Sequence, residues 1–173
     1  MSVLPLVNEK EEILYSPPEQ FNWDSPQRDP EELSKDLIES MIDHNGVGLS
    51  ANQVGIPLSV FAMFWDNKPI VVFNPEIVEK SEETTYEREG CLSYPGLVLA
   101  VRRAESIKAQ FEVRDGSTKG AVFNGLSSKI FQHEMEHMEG NEFFWSVPNF
   151  TLKQAMKKRK NNLKKMKKRW DNI

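Results

Sequence analysis

The chain has 173 residues, 39% of them hydrophobic, and a formal net charge of −4. That length suits one domain with a real core, 1–173 without an internal repeat or linker. Its single cysteine, Cys91, excludes an intrachain disulfide framework and points to a reducing compartment. No early apolar run suits a signal segment or membrane span, and the first dozen residues are acidic, so a cytoplasmic protein is expected.

Residues 1–28 hold the turn formers Pro17, Pro18, Asn22 and Pro26 and are expected to wrap the surface with at most short strands. Asp29-Pro30-Glu31-Glu32 then reads as a helix start, with Asp29 as the cap and Pro30 in the first helical position. Leu33, Leu37, Ile38 and Met41 make an apolar stripe at helical spacing, which Asn45-Gly46 ends. From Pro57 the pattern turns to β-branched and aromatic residues. Leu58–Phe64 and Ile70–Phe73 read as buried strands around a turn at Asp66-Asn67. A second hairpin is expected at Ile107–Arg114 and Ala121–Phe123, turning at Asp115-Gly116. Helix returns from about Gly125 to Glu139, closed by Gly140, and again from about Thr151. Clustered strands flanked by separate helices imply an α+β fold rather than a repeating βαβ order.

Charge is unevenly spread. Residues 151–173 hold ten of the 22 Lys+Arg and one acid, Asp171, so the other 150 residues carry 12 basic against 25 acidic groups. An acidic body bears a basic tail.

Three segments carry chemistry. His133-Glu134-Met135-Glu136-His137 is an H-E-x-x-H segment, in which histidines four apart share a helix face and can reach one metal ion, with Glu134 placed as a general base. Leu126 and Ile130 share the histidine face and would give the site an apolar flank. Two histidines leave such a site one ligand short, and a thiolate from Cys91 would complete it with a position open. In Glu89-Gly90-Cys91-Leu92-Ser93, Gly90 lets main chain approach a ligand closely. In Gly46-Val47-Gly48-Leu49-Ser50-Ala51-Asn52-Gln53, the glycines permit main chain beside a substrate and Gln53 offers an amide donor.

Together, and in this order, GVGLSANQ (46–53), EGCLS (89–93) and QHEMEH (132–137) resemble the peptide deformylase family, marked by G-x-G-L-[A/S]-A-x-Q, E-G-C-L-S and Q-H-E-x-D-H. The resemblance runs from roughly Leu33 to Gly140. It implies antiparallel sheets packed around a central metal-binding helix, with an N-terminal helix and a basic C-terminal helix. The implied reaction is removal of the N-formyl group from the formyl-methionine of nascent peptides, releasing formate. Cys91, His133 and His137 would hold one divalent metal, and Glu134 would move the proton. The Gln53 amide and the Leu92 backbone N–H would be the oxyanion donors. The peptide would lie extended along Gly46, Val47, Gly48 and Gly90, its methionine side chain in a pocket lined in part by Val47, Leu126 and Ile130. Arg103 matches a family arginine near the substrate mouth, and an ion pair with Glu89 is its other reading. Coordination chemistry alone suits Zn²⁺, whereas the resemblance implies Fe²⁺, with Ni²⁺ or Co²⁺ as active substitutes. Two departures stand out: Glu136 replaces the usual Asp, and Lys129 sits where the methionine pocket commonly has an apolar residue. Lys129 is expected to snorkel outward along its stem.

In the tail, Leu152, Met156, Leu163, Met166 and Trp170 form one stripe on an otherwise lysine-rich helix. Solvated lysines around a docked stripe and membrane-surface binding compete with a contact to ribosomal RNA, which the resemblance implies. Docking of the stripe with lysines on ribosomal RNA is the reading adopted; no DNA or membrane partner is expected, and the enzyme is expected to be a monomer. The enzymatic rival is an H-E-x-x-H zinc peptidase, which needs a third ligand after the helix, yet no histidine follows His137. A ribosome-binding protein with a structural metal gives Glu134 and Gln53 no role.

Overall fold

A computed structural model describes residues 3–170, with side chains as far as Lys168. Trp170 as the last member of the apolar stripe, and Asp171, therefore lie outside what is described. The first helix, α1 (Pro30–Asp43), starts as its sequence demands: the Asp29 carboxylate accepts from the Glu32 N–H at 2.8 Å, and Pro30 occupies the first turn, where its missing N–H costs nothing. Leu33, Leu37 and Met41 form its buried face. Asn45, at φ 57°, ends the helix.

Among the described residues seven strands follow: β1 (Gly48–Ser50), β2 (Val60–Trp65), β3 (Lys68–Lys80), β4 (Thr84–Gly90), β5 (Val98–Ala104), β6 (Ser106–Glu112) and β7 (Thr118–Asn124). Five make one antiparallel sheet in the order β1-β2-β3-β6-β7, and β4 pairs with β5 in a separate ribbon. Asp66 and Asn67, at φ 47° and 62°, form the two-residue turn whose twist suits a hairpin. At Asp115-Gly116, Gly116 supplies φ 79° for the second.

Helix α2 (Gly125–Met138) sits between the sheets. Its Phe131 packs on Phe61 of β2 and Phe123 of β7, with ring centroids 5.1 and 4.8 Å away. Phe131 is fully buried, and its truncation to alanine would cost about 3–5 kcal/mol. The Gln132 side chain pairs like a strand with Ala104, accepting from its N–H at 3.1 Å and donating to its carbonyl at 2.9 Å. Those bonds tie α2 to the end of β5. A third helix, α3 (Asn149–Trp170), lays Leu152, Ala155 and Met156 on a cluster holding Cys91, Tyr94 and Phe143. Farther along it, Arg159 Nε donates to the Pro95 carbonyl and Asn162 Nδ2 to that of Gly96, both at 2.9 Å. The stripe is docked through these residues, while Met166 stays 42% exposed.

The α+β fold, its antiparallel sheets and its helices agree with expectation. Two elements differ. Gly48–Ser50 is an edge strand and 84–104 holds a strand pair, neither of which the sequence pattern revealed. The inner face of β4 is Thr85, Glu87 and Glu89, so it has no apolar alternation to read.

Candidate active site

Helix α2 presents His133 and His137 one turn apart, with ring centroids separated by 5.4 Å. Cys91 arrives from the end of β4, where Tyr94 N–H bonds back to its carbonyl at 3.0 Å and turns the chain. One donor atom from each of the three residues lies within 4.8 Å of the others. Cys91 Sγ is 3.3 Å from His137 Nε2, close to the roughly 3.5 Å between two ligands of a tetrahedral ion with bonds of about 2.1–2.3 Å. A soft thiolate beside two imidazoles, all at most 9% exposed, fits a divalent transition metal. Burial alone would raise the Cys91 thiol, yet His137 and His133 beside it bring its pKa down to about 5, so the thiolate form is favoured. Burial likewise opposes charge on His133, but Cys91 and Glu89 outweigh it and hold His133 well above its ordinary range.

Groups around these ligands fix their aim. Glu89 lies 3.7 Å from His133 Nδ1, the ring nitrogen whose partner sets the tautomer of a metal-binding histidine. Arg103 clamps Glu89 in turn: its Nη2 reaches Glu89 Oε1 at 2.5 Å, and its two terminal nitrogens reach Glu136 at 2.6 and 2.9 Å. Asn52 Nδ2 donates to the His137 carbonyl at 3.1 Å, and Phe143 covers His133 with its ring 5.4 Å away.

Glu134 lines the same cleft and lies against β1. The Ser50 hydroxyl donates to its Oε2 at 2.5 Å. A Cβ on Gly48 would stand 2.3 Å from its Oε1, so only glycine lets β1 pass this close. Burial pushes the Glu134 carboxyl up; His133, His137 and Ser50 offset part of that. The Gln53 amide donates to Ser93 Oγ at 2.9 Å and toward Cys91 Sγ at 3.4 Å, while its Oε1 accepts from the Ser50 N–H at 2.9 Å.

A cleft of about 420 Å³ opens on this centre. Of the residues singled out in the sequence, Gly46, Val47, Gly48, Gln53, Gly90, Cys91, Leu92, Arg103, Leu126, Ile130, His133 and Glu134 line it; His137 lies behind. Leu126 is 66% exposed, at the mouth, and Ile130 is buried. For Arg103 the contacts are those of the ion pair with Glu89, extended to Glu136. Lys129 does not run out into solvent: its side chain is only 13% exposed and ends on Glu87 at the cleft wall. His44 bonds to the Leu4 carbonyl at 2.9 Å instead. Sequence reasoning passed over Ser50, although S-x-x-Q at 50–53 is a capping-box spacing, and the box does form. It also passed over Thr85 and Glu87, for which the sequence carries no signal.

The fold and the site together define the class of metallohydrolases, with a Cys/His/His donor set and a buried carboxylate beside it. The sequence model of the family described as polypeptide deformylase matches residues 3–152. The chain belongs to the polypeptide deformylase family, and its activity is that of a peptide deformylase. It is 46% identical over 110 residues to the peptide deformylase of Dictyoglomus thermophilum, covering 63% of this chain and 71% of that one. To that of Aquifex aeolicus it is 34% identical over 164 residues, covering 90% and 94%. A peptide deformylase structure from Legionella pneumophila superposes with a TM-score of 0.84 at 27% identity, covering 97% of this chain and 99% of that one. An H-E-x-x-H peptidase has no support here: the third donor comes from upstream, at Cys91.

Proposed function

We propose that the enzyme removes formyl from the formyl-methionine at the N-terminus of new polypeptides, with Cys91, His133 and His137 holding one divalent metal. The observation that carries the reading is that the three clustered donors back onto one cleft whose lining includes Cys91, His133, Glu134 and Gln53. When bound, a metal in this site supplies a Lewis acid that lowers the pKa of water and polarises a carbonyl oxygen. Glu134 accepts the proton of the attacking water and passes it to the leaving amine nitrogen, a task its raised pKa suits. The Gln53 amide and the Leu92 backbone N–H donate to the formyl oxygen as negative charge gathers on it. β1 is the edge strand of its sheet, so a peptide can add alongside Gly46–Gly48, with Gly90 opposite. The first side chain then enters beside Val47, Leu126 and Ile130. Arg103 is a positioning residue, acting on His133 through Glu89.

The test is formate release from formyl-Met-Ala-Ser by the iron- or nickel-loaded enzyme, which Glu134→Ala and Cys91→Ala should each abolish. Full turnover in Glu134→Ala would refute the mechanism, and peptide-bond cleavage without formate would favour a peptidase. Fe²⁺ is the metal we assign, on the family resemblance, since the Cys/His/His donor set by itself would equally suit Zn²⁺. Activity of the iron form should fall on aeration and survive in the nickel form; an air-stable iron enzyme would overturn the assignment.

We further propose that this single-domain, monomeric enzyme works in the cytoplasm and contacts ribosomal RNA through the lysines of α3. The docked stripe supports this, because it leaves Lys157, Lys158, Lys160, Lys164 and Lys165 exposed. Since Leu152 and Met156 pack near Cys91, charge replacement is a cleaner test than truncation. Glutamines at Lys160, Lys164 and Lys165 should spare dipeptide turnover and weaken co-sedimentation with ribosomes at low salt. Unchanged co-sedimentation would end the proposal.

A further inference from the structure

The cleft wall facing the first side chain is not wholly apolar. Side chains alternate along β4, so Thr85, Glu87 and Glu89 face the cleft from one side. Across from them α2 contributes Leu126, Lys129 and Ile130. Glu89 serves His133 and Arg103. The other polar groups have no part in the metal site. Lys129 pairs through Nζ with Glu87 Oε1, and Thr85 Oγ1 is buried without a hydrogen-bond partner among the described residues.

The pair is lopsided. The Lys129 side chain is only 13% exposed and that of Glu87 60%, so the lysine is the more buried partner and the glutamate the more exposed one. An ammonium has three N–H donors, and one carboxylate oxygen engages one of them. A buried hydroxyl with no partner is uncommon in folded proteins, and each case calls for an explanation. Methionine does not supply one, because a thioether sulfur is a weak acceptor. A sulfoxide oxygen at that place is polar and a strong acceptor. It would be penalised in an apolar pocket for want of a donor, but not in this one.

Building on the deformylase reading, we propose that Lys129 and Thr85 adapt the pocket to first side chains ending in a strong hydrogen-bond acceptor. N-formyl peptides that begin with methionine sulfoxide are then substrates alongside those that begin with methionine. The reaction is the same in both: water cleaves the formyl C–N bond, formate and the free amine leave, and the sulfoxide is untouched. Lys129 and Thr85 are specificity determinants for this reaction.

The test compares kcat/KM of the nickel enzyme on formyl-Met-Ala-Ser and on the same peptide carrying methionine sulfoxide. Wild type should discriminate against the sulfoxide by no more than about tenfold. Lys129→Met should increase that discrimination by about tenfold to a hundredfold, the worth of a hydrogen bond from a charged donor. Lys129→Arg, which keeps the cation, should stay closer to wild type than to Lys129→Met, and Thr85→Val should shift the ratio in the same sense as Lys129→Met. Equal discrimination by wild type and Lys129→Met would overturn the proposal. Calorimetric binding of the deformylated products, Met-Ala-Ser and its sulfoxide, makes the same comparison without turnover. Absence of formate from both formyl peptides would count against the deformylase reading alone, while the binding ratio still decides for or against the pocket.

Discussion

Alanine at position 48 tests whether the main chain of β1 belongs to the catalytic geometry. A Cβ there would lie 2.3 Å from Glu134 Oε1 and 3.0 Å from Ile130 Cγ2, where ordinary contact begins at 3.4 Å. The carboxylate must therefore retreat by about 1 Å. Gly48 is not in the left-handed region of backbone space, so no backbone strain accompanies the change. Glu134 cannot absorb the shift without loss, because Ser50 holds its other oxygen at 2.5 Å. Misplacing a proton-transferring group by 1 Å is worth about 10² in rate, or about 2.7 kcal/mol of barrier. The fold should lose much less, since the displaced group is the end of one side chain. We expect kcat/KM on formyl-Met-Ala-Ser to fall about a hundredfold in Gly48→Ala, with metal content unchanged and Tm within a few degrees. Gly120→Ala is the control, because a Cβ there meets nothing within 4 Å and should leave both rate and Tm alone. Wild-type turnover by a folded, metal-replete Gly48→Ala enzyme would refute the reasoning.

Three further outcomes follow from the same contacts. Arg103→Met leaves Glu89 and Glu136 without their shared cation, and breaking such a mostly buried network costs about 3–5 kcal/mol; at about 2–4 °C per kcal/mol, thermal melting should show a Tm lower by roughly 6–20 °C, and an unchanged Tm would remove the network from the account of stability. Ser50→Ala deletes both the cap of the short turn at Ala51–Val54 and the donor on Glu134, so a urea midpoint should report a loss of about 1 kcal/mol. Its kcat/KM should drop about tenfold, the effect of one hydrogen bond of about 1.4 kcal/mol, and an unaltered rate would show that Ser50 does not position the base. Burial raises the Glu142 carboxyl, with the Tyr94 hydroxyl bond offsetting part of the rise. The folded state therefore holds that proton more tightly than the unfolded chain. The stability it contributes is complete below the ordinary value of 4.5 and is lost as pH climbs through the folded value. Glu142→Gln should gain stability over wild type at about pH 7 but not at about pH 4, and equal gains at both would contradict the sign.

What the sequence made legible was whatever a local rule enforces. Asp29-Pro30 announced α1 because a cap and a missing N–H are local facts, and Asp66-Asn67 announced a hairpin because few residues accept positive φ twice in succession. The metal donors were legible for a related reason, since the four-residue spacing of two histidines is set by the helix itself. Arg103 was not, because its choice between substrate and ion pair depends on where Glu136, 33 residues away, falls in space. β4 was missed through a rule applied too simply. Alternation marks a strand only when its inner face meets an apolar core, and the inner face of β4 meets the cleft. Its residues 85, 87 and 89 do alternate inward, but as Thr, Glu and Glu. A strand paired along its whole length, yet polar on the face turned inward, has to look onto solvent, a ligand or ionic partners. Glu89 has its partners in Arg103 and His133, and Glu87 has Lys129. The Thr85 hydroxyl has none among the described residues, and the sulfoxide side chain proposed above would supply it.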